Sequence, residues 1–132
     1  MKRLKTILML ICIVSLTALT SCSKDNIAED NIADNIIGKW KCTVDNYNDN
    51  NNGFGHDSYI GSIWEFKDGG VLNVGNDMTT YTIDGNNIVT YGGLKYGTIT
   101  KLTSSTLILD LTIGITHSGM PNPTDHLEFA RQ

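Results

Sequence analysis

From Ile37 onward, side-chain character alternates every second residue, and this limits the chain more than any motif in it. Trp40, Cys42 and Val44 stand together against Lys39, Lys41 and Thr43, and Leu107, Leu109, Leu111 and Ile113 stand together against Thr106, Ile108, Asp110 and Thr112. Trp64 with Phe66, and Leu127 with Phe129, repeat the pattern. A period of two sends alternate side chains to opposite faces of a strand, so each run has one face to bury and one to wet. The runs are rich in Val, Ile, Thr, Tyr and Trp, are separated by Gly, Asn and Asp, and show no long helical period. Strands are expected near 37–44, 58–66, 71–75, 79–84, 87–91, 94–102, 106–113 and 125–131. Lys67-Asp68-Gly69-Gly70, Asp84-Gly85-Asn86-Asn87 and Leu102-Thr103-Ser104-Ser105 have the composition of tight hairpin connections. Consecutive hairpins with no crossover helix make an antiparallel meander, and eight strands close most simply into an up-and-down barrel. The expected fold class is therefore all-β.

The first part of the chain has a different character. A basic segment, Met1–Lys5, runs into the apolar stretch Thr6–Leu19 and then into small residues, the layout of a secretory signal. The fourteen residues of this stretch reach only about 21 Å as a helix, short of a hydrocarbon core of about 30 Å, so a retained span is disfavoured. Leu19-Thr20-Ser21-Cys22 resembles the bacterial lipobox, which makes Cys22 the expected lipidation site. The expected organisation is a signal peptide over 1–21, a lipidated Cys and tether over 22–35, and a barrel domain over 36–132. Two or more acyl chains would hold a soluble domain at the membrane, each buried CH₂ contributing about 0.8 kcal/mol. Asp25, Glu29 and Asp30, close behind Cys22, resemble surface-export signals of some Gram-negative lipoproteins, which points to the outer membrane and its outward leaflet. In the tether, Ala28, Ile32 and Ile36 fall at helical spacing and fit either a short helix against the domain floor or a flexible spacer.

Loss of Lys2, Arg3 and Lys5 with the signal leaves seven basic against fourteen acidic side chains, a formal charge of −7. Such a surface repels phosphate backbones, so nucleic acid is not an expected partner. With Cys12 in the signal and Cys22 lipidated, Cys42 has no partner within the chain and reads as a small buried hydrophobe.

Gly38-Lys39-Trp40 in the first strand resembles the Gly-x-Trp signature of lipocalins and their calycin relatives, which often place an Arg across that Trp from the last strand, where Arg131 stands here. Trp64-Glu65-Phe66-Lys67-Asp68-Gly69-Gly70, Tyr81-Thr82-Ile83-Asp84-Gly85-Asn86 and Leu107-Ile108-Leu109 also resemble small lipocalin-like lipoproteins of bacterial envelopes, so that the likeness spans about residues 36–131. The resemblance implies a lipocalin-like barrel with Gly38, Trp40 and Arg131 as a structural signature. A guanidinium over an indole is a favourable contact of about 0.5–2 kcal/mol. The domain is shorter than a full-sized lipocalin and has no helix after the eighth strand, so its own Trp, Leu and Phe side chains compete with any ligand for the lumen.

Catalytic patterns are missing: there is no Ser-centred elbow, no phosphate-cradling glycine loop, and no metal-ligand spacing among His56, His117 and His126. The acids fall mostly in turns or at outward strand positions, Asp110 and Glu65 among them, and His56-Asp57 reads as a solvated pair. The Asn-rich loop Asp45–Asp57 lacks the first Asp and the bidentate Glu of a calcium loop. No enzymatic activity, metal or cofactor is expected. The expected role is binding a small hydrophobic or amphipathic ligand in or at the mouth of the barrel, lined by Trp64, Tyr81, Leu109 and Phe129. The alternative is a packed barrel that shows its 45–57 and 114–124 loops, with Phe54 at one tip, to an envelope protein or polysaccharide.

Overall fold

The computed structural model describes residues 31–51, 53, 55–90, 94–114, 119 and 121–132. A four-residue helix, α1 (Ile32–Asn35), precedes eight strands: β1 (Gly38–Asn48), β2 (Ile63–Lys67), β3 (Val71–Val74), β4 (Asp77–Asp84), β5 (Asn87–Thr90), β6 (Leu94–Leu102), β7 (Thr106–Thr112) and β8 (Thr124–Arg131). All neighbours pair antiparallel, and β8 returns to β1, so the sheet is a closed up-and-down barrel. Closure leaves no edge strand with unpaired backbone groups.

The alternation lies as expected along most strands. Leu107, Leu109 and Leu111 are buried while Asp110 and Thr112 are exposed, and Trp64 and Phe66 are buried against half-buried Glu65. Trp40, Trp64, Phe66 and Phe129 are each no more than 1 % exposed and fill the lumen together with Leu72, Ile88 and Leu127.

The first strand departs from that count. Cys42 pairs with Phe129 and Val44 with Glu128, so Thr43 is an extra residue, a β-bulge. Val44, expected beside Trp40 and Cys42 on the inner face, instead pairs opposite outward-facing Glu128. Beyond the bulge, Asp45 and Tyr47 take the inward positions opposite Leu127 and Asp125. Two similar shifts occur in β6, at Tyr96 and at Thr100. The Thr43 hydroxyl donates to Glu128 O (3.1 Å) and that of Thr100 to Ile108 O (3.4 Å).

One end of the barrel is sealed. The turns at 68–70, 85–86 and 103–105 lie at this end, where α1 stands beside the 68–70 turn and its Ile32, with Ile36 beyond it, is buried in the core. The Trp40 Nε1–H donates to Ile36 O (2.8 Å), and the Arg131 guanidinium lies 4.3 Å from the centre of the Trp40 ring. Arg131 also donates to the carbonyls of Asn35 and Ile37, using backbone acceptors that a helix end leaves free. Gly38 accommodates this crossing: its φ is +134°, and a Cβ there would stand 3.0 Å from Arg131 Nη1. The helical alternative for the tether therefore holds over Ile32–Asn35, while Ala28 lies outside the described residues.

Candidate functional site

The opposite, open end gathers the long β1–β2 segment, the turn after β3 and the β7–β8 segment. Asn50 Nδ2 donates to Asn122 O, so the two long loops flagged in the sequence meet on one side of the barrel. Tyr59–Gly61, expected within a strand, form a turn whose Gly61 and Ser62 are tied by backbone bonds to Cys42 and Tyr59. Phe54, His117 and Met120 lie outside the described residues.

Two features share this end. The first is a cleft of about 310 Å³ lined by Tyr59, Ser62, Val74, Asp77, Met78 and Tyr96, with Gly75 and Thr79. Its aromatic wall is continuous with the core, because Trp64 meets Tyr59 edge-on at 5.4 Å and Tyr96 at 6.0 Å. Burial and the neighbouring Tyr59 push the Tyr96 phenol well above its ordinary pKa, so it stays protonated and can donate. Ser62 Oγ and Trp64 Nε1 are buried with no hydrogen-bond partner. Among the described residues the exposed large apolar side chains, Ile60, Ile63 and Met78, belong to the segments bordering the cleft.

The second is a cluster of Asp45, His56 and Asp125. His56 Nε2 lies 2.9 Å from both oxygens of Asp45 and 3.6 Å from Asp125 Oδ2. The Tyr59 backbone N–H donates to Asp45 Oδ2 (2.6 Å), and Tyr47 stacks on the His56 ring at 4.4 Å. Burial raises the Asp45 pKa, but the bonds from His56 and Tyr59 outweigh it and hold it below the ordinary range. Asp125 receives no bond from a donor; burial, the adjacent Asp45 charge and a hydrogen bond to Asp45 that only its protonated form can make push it up to about 6. Cys42, close by, is a buried thiol raised to about 11 by burial and Asp45, which makes it inert.

The expected ligand quartet does not line one mouth. Trp64 and Phe129 touch at 5.0 Å inside the core, and Leu109 is fully buried. Tyr81 packs edge-on against Phe66 and donates to Lys67 O, toward the sealed end. Gly38, Trp40 and Arg131 act together as described above. Cys22 lies outside the described residues. Asp45 and Asp125 are inward exceptions to the reading of the acids as mostly turn or outward residues, which Asp110 and Glu65 follow. Asp125 shares the period-two face of Leu127 and Phe129, so its signal was present, whereas Asp45 is turned inward only by the bulge. His56 belongs to this cluster and is mostly buried.

Comparison with family models, curated proteins and solved structures found no match to this chain.

Proposed function

We propose that this chain is a lipid-anchored, lipocalin-like protein of the bacterial cell envelope that binds a small amphipathic molecule at the mouth of its barrel and carries out no catalysis. The reading rests on the Tyr59–Tyr96 cleft, whose volume reaches the lower limit of small-molecule pockets, about 300 Å³. Its apolar wall would take a hydrophobic body. The unpaired Ser62 Oγ in the cleft wall favours a ligand with a polar end, since buried polar atoms ordinarily find partners. The crowded lumen argues for the mouth over the interior. Attachment through lipid on Cys22 is suggested by the lipobox-like Leu19–Cys22 and the leader before it, and the outer membrane by the acids Asp25, Glu29 and Asp30 behind it.

The meeting of the two long loops through Asn50 and Asn122 supports a second reading, in which this end contacts an envelope protein or polysaccharide. A titration separates the two. Residues 23–132 with the neutral probe N-phenyl-1-naphthylamine should show energy transfer from tryptophan, lost in large part with Trp64→Phe and kept with Trp40→Phe, saturating with a single class of site. A Met side chain partly covered by a ligand contributes about 1 kcal/mol, so exposed Met78→Glu should weaken binding about fivefold. No saturable signal from the native domain would remove the small-molecule reading.

A further inference from the structure

We propose that Asp45, His56 and Asp125 form a binding site for one divalent transition-metal ion of the zinc class at the open end of the barrel. The site stands independently of the cleft. One ligand atom from each residue can be chosen so that all lie within 4.8 Å of one another, with His56 Nε2 at 2.9 Å from Asp45 and 3.6 Å from Asp125. Donors about 2.0–2.1 Å from a tetrahedral ion stand roughly 3.3 Å apart, so small shifts suffice to enclose one.

The independent sign of a missing ligand is Asp125. It is 2 % exposed, and unless it shares a proton with Asp45 neither carboxylate oxygen has a hydrogen-bond partner, the nearest cationic group being His56 at 3.6 Å. A buried carboxylate is normally paired, bonded or metal-bound. Among the described residues the ion pairs of Asp45 and Asp125 are with His56, and no lysine or arginine pairs with either. A doubly charged cation would balance both acids. The donors are also oriented from behind, Asp45 by the Tyr59 N–H and the imidazole by the Tyr47 ring, as ligands in metal sites commonly are. One imidazole with two carboxylates suits zinc-like ions, whereas calcium prefers six to eight oxygens. Three protein ligands leave a fourth position for water or for an oxygen or nitrogen donor.

The test uses the full chain in non-ionic detergent, stripped with chelator and titrated at neutral pH with Zn²⁺, Co²⁺ and Ca²⁺. One Zn²⁺ should bind per chain, more tightly than Ca²⁺, and Co²⁺ should give visible d–d bands without a thiolate charge-transfer band. Asp125→Asn and His56→Gln should each weaken Zn²⁺ binding at least about tenfold while keeping the native near-UV circular dichroism, since even outer-shell changes cost this much. His126→Gln, in the exposed Asp110–His126–Glu128 group, should leave binding unchanged. The proposal is overturned by no saturable binding to the native chain, which would leave the two acids sharing a proton. Unaltered affinity in both site variants, tighter Ca²⁺ binding, a thiolate band, or loss of the site with His126→Gln would overturn it equally.

Discussion

Asp125 bears a cost that depends on pH, and its sign follows from where the proton sits. In the folded chain the carboxyl is held up to about 6, against an ordinary value of 3.8 that it regains on unfolding. Between these values the folded form keeps a proton that the unfolded form has lost, so this group's contribution is full below about 4 and disappears as pH rises through about 6. Asp45 works in the opposite sense. Its pKa is lowered by folding, so its contribution is present above the ordinary carboxylate value and is lost as pH falls through the folded one. In chelator, the advantage of Asp125→Asn over the native chain in urea unfolding should therefore be larger at pH 7 than at pH 4. An Asn variant less stable than the native chain at pH 7 would contradict the idea that the carboxylate lacks donors.

At the level of the strand, bulges decide what the open end presents. The extra residue Thr43 reverses the parity of β1, so Asp45 enters the barrel and Val44 leaves it, while a shift at Tyr96 interrupts β6 beside the cleft. Val44→Thr should therefore change stability by no more than about 0.5 kcal/mol. Leu127→Ala, across the same pair of strands but wholly buried, should cost about 2–5 kcal/mol. Urea midpoints would compare them, and a large loss from Val44→Thr would return Val44 to the core. The barrel was legible because Leu107–Leu111, Trp64–Phe66 and Leu127–Phe129 keep strict alternation between recognisable turns. The cluster was not, because a bulge has no period of its own and His56 reaches Asp45 across a loop that carries no repeating pattern. Asp125 could have been found by extending the face of Leu127 and Phe129 by one step, against the habit of placing acids in water.

Over the whole molecule, the two ends divide the work. The sealed end is held by Ile32, Ile36, Trp40 and Arg131, which join α1 to the first and last strands. Ile36 is completely buried and its carbonyl accepts the Trp40 indole, so Ile36→Ala should cost about 2–5 kcal/mol in thermal or urea unfolding. A loss below about 1 kcal/mol would mean that this end is only a loose cover. The place where the chain enters the barrel also sets a direction. Ile32 lies ten positions after Cys22, at most about 36 Å of extended backbone, and the chain enters the barrel at the sealed end through α1. If lipid is attached at Cys22 as proposed, this tether would hold the protein by its sealed end and turn the open end, with the proposed metal site and the aromatic cleft, away from the bilayer.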